Sequence, residues 1–266
     1  MDFTDPVVWT FLPTPLSIDI ADSMVKKLFI YYCIDSFSES SLSAKKIKKS
    51  EEALLKKIDL VFVTSGKLYN YCSRYSDKVH KFPFAVDFKE FEKIRLESGT
   101  AVPDEFKKIK SPIIGYVGGI HKWIDQDLIK YLSEKYPQYS FVFIGPLQTD
   151  VSSLTNLKNI YFLGKKKHEV LPLFIKCFNI GIIPYLITDY TKNVYPTKLN
   201  EYLALGKPVI STQLPEIIEF NKEYRDIVYI ANDKEKFGEY IDKTINENTQ
   251  ILGKDRIEVA RNNDWE

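Results

Sequence analysis

Residues Tyr195-Pro196-Thr197-Lys198-Leu199-Asn200-Glu201-Tyr202-Leu203-Ala204-Leu205-Gly206-Lys207-Pro208-Val209-Ile210-Ser211-Thr212 hold a loop, a short helix, a helix stop and a buried strand. Pro196 suits a first helical turn, and Leu199, Tyr202, Leu203 and Leu205 form an apolar face. Gly206 fits the position just past the helix end, and Pro208 prevents continuation. Lys198 is not explained by folding: a cation in the first turn opposes the helix macrodipole, whereas the free N–H groups there favour an anion. A bound phosphate reconciles the two. Glu201, three residues on along the same face, can accept hydrogen bonds from ribose or sugar hydroxyls beside that phosphate. The two charges point to a nucleotide-sugar site. By spacing alone they equally fit an exposed ion pair worth roughly 0.2–0.5 kcal/mol.

Outward from this stretch, residues beyond 112 alternate short apolar β-rich runs with amphipathic ones, the pattern of a parallel sheet with crossover helices. Strands are expected at 113–117, 140–144, 160–162, 180–183, 208–211 and 227–230, with helices at 124–136, 169–178, 196–205 and 234–246. Continuous apolar strands such as Ile180-Gly181-Ile182-Ile183 are expected where both sheet faces are covered, and ligands then bind at the strands' carboxyl ends. The first part also alternates, with strands at 7–12, 28–32, 60–63 and 79–82 and helices at 44–57 and 67–76. The charged stretch 87–110, with Gly99 and Pro103, reads as a linker.

A chain of 266 residues can bury two modest cores, and 37 basic against 36 acidic residues leave no global field for nucleic acid. Cys33, Cys72 and Cys177 lack metal or redox spacing, and their odd number argues against a disulfide framework and for a cytoplasmic setting. No apolar run approaches the roughly 20 residues of a membrane helix, so any membrane contact is expected to be peripheral, at the inner face. The lysines of 44–57 fit either an anionic membrane surface or a solvated helix face.

The 195–212 stretch resembles the signature of GT-B glycosyltransferases, above all the bacterial family 4-like (group 1) enzymes that build capsules, exopolysaccharides and teichuronic-type polymers. Asn159-Ile160-Tyr161-Phe162-Leu163-Gly164, Leu171-Pro172 and Asn179-Ile180-Gly181-Ile182-Ile183-Pro184-Tyr185 are similar to the family's segments leading into the site, in order and spacing. Asp59-Leu60-Val61-Phe62-Val63-Thr64-Ser65 and Ile114-Gly115-Tyr116-Val117-Gly118-Gly119 extend the likeness over almost the whole chain. It implies an α/β GT-B protein of two Rossmann-like domains with parallel sheets. Residues 1–86 are expected as a partial N-terminal, acceptor-side domain, 87–110 as linker and 111–250 as the donor-binding domain. Residues 251–266 would begin a helix that packs back toward the N-terminal domain. The family's Gly-rich loop has no counterpart here, so a fragment truncated at both ends is expected, or a naturally short protein.

By the same resemblance, Gly118 and Gly119 form the turn that approaches the donor, with Lys122 and Lys198 as the two cations on its diphosphate. Two cations there would make a divalent metal unnecessary, leaving the nucleoside diphosphate-sugar as co-substrate and no cofactor. Gly164 and Lys165 lie where the nucleobase is expected, Tyr185 would line the sugar pocket, and Asn193, Tyr195, Pro196 and Thr197 would meet the donor sugar. Asn193 stands where many relatives have glutamate, and it also fits a turn or cap. Asp35 follows Ile34 where retaining relatives have a His-Asp pair; it would orient or deprotonate an acceptor hydroxyl, or merely cap the next turn. His80, His121 and His168 are too dispersed for a metal site. The implied activity is sugar transfer to a glycan or lipid-linked glycan in cell-surface polysaccharide synthesis. A GT-B sugar-nucleotide epimerase and a non-catalytic nucleotide-sugar-binding protein stay open as alternatives.

Overall fold

The computed structural model describes residues 4–37, 44–97, 99, 101–246 and 249–266. The chain divides into two compact units, Met1–Phe84 with Thr188–Tyr195, and Ala85–Ile187 with Pro196–Glu266.

In the first unit the order is β1 (Val7–Thr10), α1 (Pro15–Asp22), β2 (Leu28–Cys33), α2 (Ala44–Leu55), β3 (Leu60–Val63), α3 (Gly66–Cys72) and β4 (Val79–Lys81). The strands form one parallel sheet, β1-β2-β3-β4. Helix α1, which no sequence pattern announced, starts at a capping box: the Thr14 hydroxyl accepts from the Ser17 N–H and Ser17 reciprocates. Ser65 likewise caps α3 by accepting the Leu68 N–H at 3.2 Å. The helices place Ile18, Ala21, Leu54, Leu55, Leu68 and Cys72 against Phe29, Tyr31, Val61 and Val63 of the sheet. The opposite sheet face bears Trp9, Tyr32, Phe62 and Phe82, with Trp9 stacked on Phe62 at 5.6 Å. Trp9 is 47% and Phe82 54% exposed, so among the described residues the unit's helices cover this parallel sheet on one side only.

The second unit opens with α4 (Phe88–Leu96) and continues β5 (Ile113–Val117), α5 (Gln126–Lys135), β6 (Ser140–Ile144), α6 (Ser152–Thr155), β7 (Ile160–Phe162), α7 (Leu171–Lys176) and β8 (Ile180–Ile183). It closes with α8 (Lys198–Ala204), β9 (Val209–Thr212), α9 (Pro215–Tyr224), β10 (Tyr229–Ala231), α10 (Lys234–Ile245) and α11 (Thr249–Arg261). The strands form a parallel sheet ordered β10-β9-β8-β5-β6-β7. The chain runs outward from β5 through β6 to β7 and returns to β8 on the other side of β5, so the order reverses between β5 and β8. Open α/β sheets bind ligands in the crevice at the carboxyl ends of the strands at such a reversal. Strands β5, β6 and β8 are buried throughout, as their unbroken apolar runs require.

The stretch read as a linker holds α4 and a 3-10 turn at Asp104–Lys108 inside this unit. Asp87 caps α4 by accepting the Glu90 N–H at 3.2 Å, and Phe88, Phe91 and Phe106 are buried. Three phenylalanines scattered among charges carry the packing that the composition hid. Helix α11 packs against α8, and beyond it Asp264 accepts the Phe88 N–H at 3.2 Å. Among the described residues no helix is long and apolar enough to cross a membrane.

Candidate functional site

Helix α8 sets the geometry. Its Tyr202 ring lies so close to β8 that a Cβ on Gly181 would sit 2.4 Å from it, and its hydroxyl accepts the Val117 N–H at 2.9 Å, at the end of β5. Lys198 is one turn earlier on the same face, which carries it to the carboxyl ends of β5 and β8. There its ammonium donates to the Tyr185 hydroxyl at 2.6 Å and stands 5.0 Å and 5.3 Å from the ring centres of Tyr185 and Tyr116. Lys198 is only 8% exposed, and no described carboxylate lies within ion-pair distance of it. Burying an ammonium costs several kcal/mol unless it is paired. One hydroxyl and two aromatic faces offset part of that cost and leave the charge itself unmatched. The exposed Lys198–Glu201 pair that the spacing also allowed does not form.

The turn after β5 closes over this ammonium. Gly118 has a φ of +138°, and a Cβ on it would sit 2.9 Å from the Tyr116 hydroxyl and 3.2 Å from Cε of Lys198. The Tyr116 hydroxyl donates to the Gly119 carbonyl at 3.1 Å. Bridges from Ile120 to Leu147 and from Ile124 to Tyr185 fasten the loop to the ends of β6 and β8.

Other expected residues fall variously. Lys122 and Lys165 are exposed, and Gly164 marks the end of β7 with a φ of +66°. Glu201, 14% exposed, approaches His168 Nε2 at 3.4 Å, a pairing of distant residues that the sequence did not announce. Pro196 is buried and Thr197 exposed, just ahead of Lys198. Asp35, Asn193 and Tyr195 belong to the first unit. The Asn193 amide donates to the Asp189 carbonyl at 2.5 Å and so serves its local turn, while Tyr195 is buried. Asp35 accepts from the Tyr190 hydroxyl at 3.3 Å; burial raises its carboxyl above the usual aspartate range, and that hydrogen bond acts against the rise.

His121, passed over in the sequence, lies in the field of Lys198: burial first, then the ammonium, hold its imidazole below the usual histidine range. It stacks on Trp123 at 3.9 Å. His168 behaves oppositely, its imidazole raised by the hydrogen bond to Glu201. A cavity of about 450 Å³ lined by Asp125, Tyr185, Thr212, Asp233 and Lys234 shares Tyr185 with this cluster but not Lys198. Its Asp125 and Asp233 carboxylates already cap α5 and α10.

The model of the family described as glycosyl transferases group 1 matches residues 111–247, more than half of the chain. The chain belongs to that family. The match runs from β5 through α10, and the GT-B fold expected from the sequence is present. The chain is similar to TuaH of Bacillus subtilis (strain 168), a protein named as a teichuronic acid biosynthesis glycosyltransferase, at 28% identity over 242 residues. That match covers 85% of this chain and 58% of TuaH, so the chain spans less than two thirds of its relative's length. Among solved structures it resembles sucrose-phosphate synthase from Thermosynechococcus elongatus, with a TM-score of 0.74, 18% identity, and coverage of 98% of this chain and 70% of that one. HepE of Anabaena in complex with UDP gives a TM-score of 0.74 at 14% identity, covering 97% of this chain and 74% of HepE. Trehalose-6-phosphate synthase of E. coli bound with UDP-2-fluoro glucose gives 0.70 at 13%, covering 98% and 71%. These likenesses concern the fold.

Proposed function

We propose that the second unit binds the diphosphate of a nucleoside diphosphate-sugar at the carboxyl ends of β5 and β8, and that the protein transfers its sugar to a glycan or lipid-linked glycan in cell-surface polysaccharide synthesis. The observation that carries this reading is the buried, carboxylate-free ammonium of Lys198 beneath the Gly118-Gly119 turn. A diphosphate supplies the missing charge. As the glycosidic bond to the sugar breaks, negative charge grows on the departing diphosphate, and an ammonium already fixed in a dry site stabilises it without reorganising. Lys122 is the second cation in this reading, reaching in from the loop, and the scheme assigns no step to a metal ion. Glu201 holds ribose hydroxyls with the oxygen that His168 leaves open. Gly164 and Lys165 border the base, and Tyr185, Pro196 and Thr197 meet the sugar. The complexes of HepE with UDP and with UDP-glucose support the choice of donor class. The name of TuaH supports the polysaccharide role.

Calorimetric titration with UDP, GDP and their glucose conjugates tests the reading. Wild type should bind one nucleoside diphosphate. Lys198→Gln should weaken it by about tenfold to a hundredfold, the worth of one charge-assisted hydrogen bond of roughly 1.5–3 kcal/mol. Binding by a folded Lys198→Gln variant equal to wild type would remove the proposal's basis.

A further inference from the structure

Lys48 of α2 and Lys67, Tyr71 and Arg74 of α3 converge on a cavity of about 310 Å³ within the first unit, with Glu51 and Asp189 in its wall. Lys48, Lys67 and Arg74 form no ion pair with any described carboxylate. Neither wall acid forms an ion pair with them, although Lys67 lies in the field of Asp189. Asp189 is engaged by Lys192 at 3.0 Å, and that contact holds its carboxyl below the usual range. Glu51 is 2% exposed and accepts the Tyr31 hydroxyl at 2.5 Å, while burial pushes its carboxyl upward, toward the neutral acid. The Tyr71 hydroxyl is buried against the same carboxylate. A lysine-rich helix face is usually only solvated, as Lys45, Lys46 and Lys49 are on α2. Lys48 differs because two cations from another helix meet it across one concavity, where low-dielectric walls concentrate the field.

We infer that this cavity binds an oxyanion, a phosphate or carboxylate group carried by the acceptor. Three cations gathered on one concavity supply the charge. Calling the ligand an acceptor rests on the transferase reading; the anion site itself does not.

The test uses the full chain carrying Lys198→Gln, so that the second unit's buried cation does not contribute. It is titrated calorimetrically at low ionic strength with inorganic pyrophosphate and, separately, with glucuronate. At least one should bind, and adding Lys67→Gln with Arg74→Gln should weaken it by about tenfold or more. Both residues are exposed, so melting followed by circular dichroism should not move. Preference for pyrophosphate indicates a diphosphate-linked acceptor, and preference for glucuronate a uronate-bearing glycan. Absence of binding by either probe, or binding indifferent to Lys67 and Arg74, overturns the inference. UDP titration of wild type in parallel separates the two readings: pyrophosphate binding that needs Lys67 and Arg74 stands even where UDP fails to bind.

Discussion

Lys198 concentrates the chemistry of the second unit because its neighbours are fixed by folding and its charge is not. Tyr116, Tyr185 and Gly118 surround its side chain, and each is itself held by a strand end or a loop bridge. Two histidines report on this environment in opposite directions, and the chain has three in all. In an NMR titration His168 should titrate above, and His121 below, the ordinary value of about 6.5. For His168 the raised folded-state value means that its pairing with Glu201 stabilises the fold below about pH 6.5 and that this contribution is lost as pH rises through the folded value. Glu201→Gln should return His168 toward 6.5, and an unmoved His168 would show that the contact is not made in solution. For His121 the lowered value means that protonation is resisted by the fold, so acidification below about 6.5 costs stability. UDP bound beside Lys198 should raise the His121 midpoint, and the same titration in its presence measures that shift.

At the scale of elements, α8 is the piece on which the site hangs. Gly181→Ala would force a methyl into the Tyr202 ring and should cost about 1–3 kcal/mol in chemical denaturation. Tyr202→Phe strips the Val117 N–H of its partner and should cost a similar amount, about 1–3 kcal/mol. Either loss below about 0.5 kcal/mol would mean that α8 is less tightly held than its contacts imply. This helix was legible in the sequence because Pro196, the apolar face and Gly206 all point one way, and Gly206 does adopt a φ of +69° at its end. Strands β5 to β8 were legible for the same reason, as short apolar runs between helical patterns. Helices α1, α4 and α9 were not. In α4 the apolar residues are thinned by charges, and α9 is ended by Arg225 in the left-handed region, where glycine is the usual signal. The pairing of His168 with Glu201, and the burial of Lys198 between Tyr116 of β5 and Tyr185 just beyond β8, are products of topology that local spacing cannot encode.

At the scale of the molecule, each unit has its own parallel sheet and its own chemistry: a buried cation at a strand reversal in the second, a cationic cavity between two helices in the first. The first unit also groups Trp9, Phe62 and Phe82 on one sheet face, with Trp9 and Phe82 about half exposed. Such a patch binds hydrophobic dyes. The fluorescence of anilinonaphthalene sulfonate with the chain should fall on Trp9→Lys without loss of helical circular dichroism, and unchanged fluorescence would place the exposed apolar surface elsewhere.

The measurement closest to the central claim is a backbone amide NMR titration with UDP, since it reports where the diphosphate sits. The account predicts that the largest shifts fall on Gly118, Gly119, His121 and residues 197–201, with none of comparable size at Thr212 or Asp233. Shifts confined to the cavity lined by Asp125, Thr212 and Asp233, or to Lys67 and Arg74 of the first unit, would contradict it.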